Sequence, residues 1–309
     1  MSPHLLELSN ISWTDMTWNA WLGCTKVGPE CENCYIAHGG VGFGKRDPWA
    51  DIYLTRTWDQ PSTWQHKLAA NEYMKVFTCS LSDFFHKSVD DRSVWVAAYS
   101  KPGGGMYLRR QAWDAKGELD FHWRAVAWAI IKNSPNLIFQ ILTKRPERII
   151  DHLPPDWGIG YPNVWLGTSV GCISTLNRIN HLRKVPVHPE AVRFVSAEPL
   201  LEDISGKIKL DGIGWLITGG ESGFGKEYLW DKNDKNPPTT GRRTMRLEWA
   251  YSLMLKCKQS ALPFYFKQIT APKSGQGEDA LGMKYHEFPN PPNGGVWWKQ
   301  PANPLVVMQ

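Results

Sequence analysis

Leu137-Ile-Phe-Gln-Ile-Leu-Thr-Lys-Arg145 runs apolar except for Gln140 and then breaks into a hydroxyl and two cations. A strand with so little polar alternation is buried on both faces, as strands inside parallel sheets are. The pattern recurs at 75–80, 164–167, 192–196, 215–218 and 263–266, all rich in Val, Ile, Phe and Leu. Helical periodicity falls between several of these runs, at 123–133, 176–183 and 246–259. Strands alternating with helices argue for an α/β fold around a parallel sheet. The residues just past each strand choose the sheet's shape. Ser80-Leu-Ser-Asp83, Thr143-Lys-Arg145, Gly167-Thr-Ser169, Ser196-Ala-Glu198, Gly219-Gly-Glu221 and Lys267-Gln268 all place polar groups or glycine at the end of an apolar run. A doubly wound sheet gathers its working residues at one switch point, whereas a barrel collects them from many strand ends. The expected fold is therefore α/β, a partial (β/α) barrel.

The barrel is expected over residues 1–270, with insertions near 100–120 and 228–243 that read as loops, lids or peripheral decoration. An irregular extension is expected over 271–309. The first insertion holds Pro102-Gly-Gly-Gly105, the second Asn236-Pro-Pro238, and the extension is rich in Gly and Pro. At 309 residues, 42% of them hydrophobic, the chain can bury a large core without a metal staple. The 17 tryptophans point to core or groove-lining aromatics. A formal charge of +5 permits a phosphate-bearing partner without requiring one. With no signal peptide and no run of about 20 apolar residues, the chain is expected to be cytoplasmic, with no membrane contact. Six cysteines in a cytosolic chain of this size argue against a disulfide framework.

Three of the six crowd into Gly23-Cys24-Thr-Lys-Val-Gly-Pro-Glu-Cys31-Glu-Asn-Cys34-Tyr35. Cys31 and Cys34 form a C-x2-C pair, and Gly28-Pro29 turns the chain back toward Cys24. Three thiolates on one loop can hold three irons of a cubane cluster, leaving the fourth iron open to a small molecule. Zinc competes: with His38 the pattern becomes C-x6-C-x2-C-x3-H, a closed Cys3His site in a non-catalytic binding protein. Two near P-loops, Gly39…Gly44-Lys45-Arg46 and Gly220…Gly225-Lys226-Glu227, lack the Ser or Thr that holds Mg2+, which argues against nucleotide hydrolysis.

The cysteine run, preceded by Trp13-Thr-Asp-Met-Thr-Trp-Asn19, resembles the phage Gp37/Gp68 family of three-Cys-motif (DUF5131-type) proteins. The resemblance continues through Ser80-Leu-Ser-Asp-Phe-Phe-His86, Leu142-Thr-Lys-Arg-Pro-Glu-Arg148, Asn163-Val-Trp-Leu-Gly-Thr-Ser169, Arg193-Phe-Val-Ser-Ala-Glu-Pro-Leu200, Gly219-Gly-Glu-Ser-Gly223 and Pro263-Phe-Tyr-Phe-Lys-Gln268. That family looks like a divergent branch of the radical S-adenosylmethionine superfamily. Its usual first cysteine spacing is three, here six, and Ala20 stands where the family usually has Pro. The resemblance implies a radical S-adenosylmethionine enzyme whose [4Fe–4S] cluster is held by Cys24, Cys31 and Cys34. S-adenosylmethionine would chelate the open iron and, on one-electron reduction, yield methionine and a 5′-deoxyadenosyl radical. It also implies an electron donor such as a flavodoxin or ferredoxin. A nucleobase or modified DNA nucleotide is the expected substrate.

Position alone nominates the rest of the site. Tyr35 is placed to pack on adenine or shield the cluster, or is a core aromatic. Ser82 and Asp83 follow the first strand and are placed to meet the ammonium of S-adenosylmethionine, unless Asp83 caps a helix. Thr168 and Ser169 are candidates for the ribose or methionine carboxylate. Glu198 and Glu221 end apolar strands, where a buried carboxylate needs a ligand or a cation such as Lys144, Arg145 or Lys267. Those three cations are candidates for holding a carboxylate or phosphate in catalysis. Gly219 and Gly220 are expected to let backbone approach the ligand. Arg148 and Arg193 are expected in ordinary salt bridges, and Cys79, Cys172 and Cys257 as buried small residues.

Overall fold

The computed structural model describes residues 8–38, 43, 46–50, 52–100, 106–110, 119–223, 226–228 and 241–299. Its main sheet contains β1 (Met16–Trp18), β2 (Glu72–Thr78), β3 (Leu137–Thr143), β4 (Val164–Ser169), β5 (Arg193–Ala197), β6 (Trp215–Gly219), β7 (Phe264–Gln268) and β8 (Val296–Trp297). From β1 to β7 the spatial order is the chain order, and every pairing is parallel. Strictly sequential parallel order means that every crossover turns the same way, so the connecting helices lie on one face.

The side chains bear this out. Helices α1 (Gln60–Gln65), α2 (Trp123–Lys132), α3 (Asn177–Arg183) and α4 (Leu247–Gln259) all pack toward one face. There Trp64, Ile130, Leu182 and Leu253 share a core with Val76, Phe139, Leu166, Leu216 and Phe266. In α2 the buried Trp123, Val126, Ala127, Ile130 and Ile131 follow the 3.6-residue period, Arg124 and Trp128 are buried beside them, and Pro135 lies beyond the helix end. The opposite face of the sheet carries a second core of Phe77, Ile138, Trp165, Phe194, Trp215 and Tyr265, with Trp13 inserted from the segment before β1. A parallel sheet covered by helices on one face and filled by its own aromatics on the other is a curled half-barrel, as expected. Gly167 makes room inside: a Cβ there would sit 2.4 Å from the Phe194 ring.

The six strand candidates and three helix candidates each coincide with an element. The sequence reading omits β1 and β8, of three and two residues, which are too short to show a period. It also omits α1, whose first turn carries Pro61. Around the 100–120 insertion, Ser93–Ser100, Met106–Arg110 and Leu119–His122 form a three-stranded antiparallel sheet with the first strand central. The Val94-Trp-Val run supplies β-prone residues. Within the second insertion, residues 229–240 lie outside the described residues, as do parts of both near P-loops.

After Ala271 the tail returns beneath the sheet. Val296–Trp297 pairs in parallel with the start of β2, and the Trp215 indole donates to the Glu287 carbonyl at 2.9 Å. Trp297 lies 5.8 Å from Trp165 and Phe288 5.4 Å from Trp215, centroid to centroid. The buried Lys75 pairs with Asp15 at 3.0 Å and lies over Trp297 and Phe288. These contacts seal the N-terminal end of the strands. No helix among the described residues is long and apolar enough to cross a membrane.

Candidate metal centre at the mouth of the half-barrel

The cysteine loop lies across the opposite end, where the strands finish. Gly23 bridges to Ser82 just beyond β2, and the Gly23 N–H donates to the Leu81 carbonyl. Cys24 and Cys34 are half-buried against Leu22, Ile36, Phe43 and Leu81, while Cys31 is buried in the short helical turn Pro29–Cys31. Burial pushes the Cys24 thiol up to about 11, and the Asp83 carboxylate adds to the shift. Burial likewise raises Cys34. Metal binding at this loop must therefore displace protons, as it does at thiol sites generally. Among the described residues no three Cys, His, Asp or Glu side chains stand together at the separations that hold a single metal ion. The His38 side chain lies outside the described residues.

The charge surrounding the sulfurs fits an anionic thiolate-bound group. Arg145 Nη1 is 3.7 Å from Cys24 Sγ and 3.1 Å from the Asp83 carboxylate. Burial opposes the charge on Lys144, but Cys31, Cys34, Glu30 and Cys24 outweigh it and raise the ammonium above its ordinary range. Two cations delivered by the end of β3 thus face the sulfurs. Three soft thiolates with cationic neighbours suit an iron–sulfur cluster in donor type and in charge.

Three polar clamps hold the loop down. At its start, Arg145 donates to the Thr25 carbonyl at 2.8 Å and to its hydroxyl at 2.7 Å, and that hydroxyl lies 2.9 Å from His86 Nε2. His86 Nδ1 accepts the Ser88 N–H, which leaves Nε2 protonated toward Thr25. Burial and then Arg145 press the His86 pKa down to about 4, so the ring stays neutral. In the middle, the Glu30 carboxylate accepts from the Gly171 N–H at 2.8 Å, the Thr175 hydroxyl at 2.7 Å and Arg178 at 3.1 Å. Near the end, Asn33 donates to Glu221 at 3.2 Å, Glu221 pairs with Arg243, and Arg243 donates to the Pro29 carbonyl at 2.6 Å.

The sequence candidates divide accordingly. Lys144 and Arg145 meet the cysteines. Asp83 holds Arg145: its oxygens also take the Thr143 hydroxyl at 2.8 and 2.9 Å and the N–H groups of Lys144 and Phe85 at 3.1 and 2.9 Å. Its acceptor sites are therefore engaged by protein, and the Phe85 contact is the local cap-like turn of the alternative reading. Ser82 lies against the buried Cys79 thiol. Tyr35 is exposed, and its hydroxyl donates to the Ser80 carbonyl. Glu198 and Lys267 form an ion pair at the rim, with Gln268 Nε2 3.4 Å from the same carboxylate. Glu221 pairs with Arg243 rather than with Lys144, Arg145 or Lys267.

Two placements differ from expectation. Strand alternation puts Thr168 with Leu166 on the helix-covered face, where its hydroxyl donates to the Thr143 carbonyl at 2.9 Å; Ser169 falls on the inner face. At Gly220 a Cβ would lie 2.3 Å from the Thr270 nitrogen, so the backbone admitted there is the protein's own; the nearest atom to one at Gly219 is Lys267 Cβ at 3.3 Å. Arg148 pairs with Asp90 at 2.6 Å, whereas Arg193 donates to the Val185 carbonyl, also at 2.6 Å. Glu30, Asn33, Arg178 and Arg243 escape the sequence reading. The signal for the first two was an ionisable and an amide side chain inside the cysteine loop itself.

Among solved structures, a cysteine-to-serine mutant of spore photoproduct lyase is similar at 13% identity and a TM-score of 0.41, covering 70% of this chain and 59% of that one. Spore photoproduct lyase complexed with dinucleoside spore photoproduct is similar at 12% identity and a TM-score of 0.42, covering 71% and 59%. The chain thus spans about three-fifths of those proteins' length. No curated protein matches the sequence. The family model for "Protein of unknown function (DUF5131)" matches residues 8–99 and 114–289, so the chain belongs to the DUF5131 family.

Proposed function

We propose that this chain is a radical S-adenosylmethionine enzyme. The observation that carries the reading is a loop of three cysteines laid over the strand ends of a parallel half-barrel, with Lys144 and Arg145 facing its sulfurs. Cys24, Cys31 and Cys34 would hold a [4Fe–4S] cluster. When bound, that cluster supplies one electron and an open iron for cleaving S-adenosylmethionine to methionine and a 5′-deoxyadenosyl radical, which abstracts hydrogen from the substrate.

The chain's own residues divide the remaining work. Lys144 and Arg145 balance the thiolate charge. Glu198, Lys267, Ser169 and the backbone around Gly219 form the inner rim, where the amino acid and ribose portions of S-adenosylmethionine would lie. Tyr35 would cover the outer side of that pocket. Asp83, Ser82, Thr168, Gly220 and Glu221 shape the site from behind. The tail sealed beneath the barrel excludes water from below. A nucleobase or modified DNA nucleotide is the proposed substrate class, supported by the net positive charge and by the resemblance to phage proteins. A flavodoxin or ferredoxin is the proposed reductant, acting in the cytoplasm.

The test is anaerobic purification with iron and sulfide analysis, followed by reduction in the presence of S-adenosylmethionine. The expected result is a brown protein that releases 5′-deoxyadenosine. Replacing Cys24, Cys31 and Cys34 together by Ala should remove the colour and the cleavage while the chain stays folded. A colourless protein with one tightly held zinc overturns the proposal, and so does a triple variant that keeps its iron–sulfur absorbance.

A further inference from the structure

We infer that Glu30 is a positioning residue that fixes Cys31 in place before any metal arrives. The inference builds on the cluster-loop reading above, but its test does not require a cluster. Six residues separate Cys24 from Cys31, and a connection of that length has considerable freedom unless it is tied down. Cys24 has its own ties: its N–H donates to the Pro48 carbonyl at 2.9 Å, and the adjacent Gly23 bridges to Ser82. Within its own turn Cys31 is held only locally, by its N–H to the Gly28 carbonyl at 2.9 Å. Long-range ties to the turn come from its two preceding residues, through the Pro29 carbonyl and the Glu30 carboxylate.

The socket for Glu30 is built at the corner between β4 and α3. One carboxylate oxygen takes three donors there: the Gly171 amide, the Thr175 hydroxyl and the Arg178 guanidinium. The Arg178 guanidinium also donates to the Ser169 carbonyl at 2.9 Å, so the corner's own backbone fixes it. Gly171 has to be bare, since a Cβ would lie 2.1 Å from the Pro199 oxygen and 2.7 Å from Glu30 Cγ. A carboxylate with a fully buried side chain is costly unless such donors meet it. Adjacent Cα atoms are about 3.8 Å apart, so anchoring residue 30 places the Cys31 sulfur relative to β4. The inner rim of the barrel and the cysteine loop are thereby held in register.

The experiment measures alkylation of individual cysteines in the metal-free chain by peptide mass spectrometry, for wild type, Glu30→Gln, Glu30→Ala and Thr175→Val. Cys257, a buried residue of α4, reports global unfolding. Losing charge-assisted hydrogen bonds should raise the Cys31 rate in Glu30→Ala by about tenfold or more, with Cys257 unchanged. Glu30→Gln keeps the shape but loses the ion pair and should fall between Glu30→Ala and wild type, as should Thr175→Val. Equal rises at Cys31 and Cys257 would make Glu30 a general stability residue and overturn the inference; so would no change at Cys31. A chain that takes up no iron but shows the selective Cys31 effect would sink the proposed function and leave this inference standing.

Discussion

At the base of the half-barrel Trp13, Trp165, Trp215, Phe194 and Tyr265 interlock with Phe288 and Trp297 from the tail, and the buried Lys75 is paired with Asp15. At the mouth the buried groups include Asp83, Arg145, Glu30, Arg243 and Glu221, joined in clamps that hold a loop, and Lys267, paired with Glu198 at the rim. The same strands supply both ends: Trp215 opens β6 and Gly219 closes it, with Glu221 just beyond. The hydrophobic effect that drives the base together is non-directional, whereas a buried carboxylate commits its neighbours to fixed directions. The base is therefore suited to stability and closure, the mouth to holding three sulfurs in a set geometry.

The sharpest way to break this contrast is to hollow out the base. Trp215 touches Trp13, Trp165, Phe194, Tyr265 and Phe288 and donates to Glu287. Trp215→Ala should cost about 3–5 kcal/mol in urea unfolding. A cost under about 1 kcal/mol would show that the aromatic floor is filler rather than core.

The next largest effect lies at the mouth. Asp83→Ala would leave Arg145, the Thr143 hydroxyl and two backbone N–H groups without their shared acceptor. Stripping a buried cation of its partner costs about 3 kcal/mol or more, so urea unfolding should show this loss, with Asp83→Asn milder. Because Arg145 also holds Thr25, the Ala variant should expose Cys24 to alkylation as well. Loss of stability without that exposure would mean that Asp83 braces the β3 end but not the loop.

The two ends were not equally legible in the sequence. The base announces itself, since continuous apolar runs spell out β2 to β7 and alternation within them assigns both faces. Strands as short as β1 and β8 carry no period and exist through pairing with β2 alone. At the mouth only the cysteine spacing and the polar strand ends could be read. The clamps are long-range ion pairs and hydrogen bonds: Glu30 meets Gly171 across 141 residues, and Arg243 reaches Pro29 across 214. No local pattern encodes such a meeting. At Thr168 two sequence signals point apart: proximity to a strand end suggests the mouth, and the two-residue period assigns the helix-covered face.

A smaller effect should appear in acid. Asp90 supports the mouth from behind: it pairs with Arg124 at 2.8 Å and Arg148 at 2.6 Å, and those arginines also donate to the carbonyls of Phe84, Phe85 and His86. Burial works against its charge, but Arg124 and Arg148 prevail and hold its carboxyl below the ordinary range. A folded pKa below the unfolded one gives stability that is present above the unfolded value, about 3.9 for Asp, and lost as pH falls through the folded value. The thermal midpoint should therefore drop on acidification below about pH 4, and Asp90→Asn should flatten that part of the curve. An unchanged acid limb in Asp90→Asn would move the acid sensitivity to the other clamps.

The smallest effect isolates what burial adds to an ion pair. Lys132 and Asp156 form a bridge of the same chemistry as those at the mouth, but their side chains are 57% and 48% exposed. Water solvates both partners and salt screens them, so Lys132→Ala should change unfolding stability by no more than about 0.5 kcal/mol. Asp156 has a second partner, the Tyr161 hydroxyl at 2.6 Å, and so is not stranded when the lysine goes. Asp83, by contrast, leaves a cation behind in a place water does not reach. If Lys132→Ala proved as costly as Asp83→Ala, the difference between mouth and surface would not be one of solvation, and the mouth's clamps would have no special claim to hold the cysteine loop.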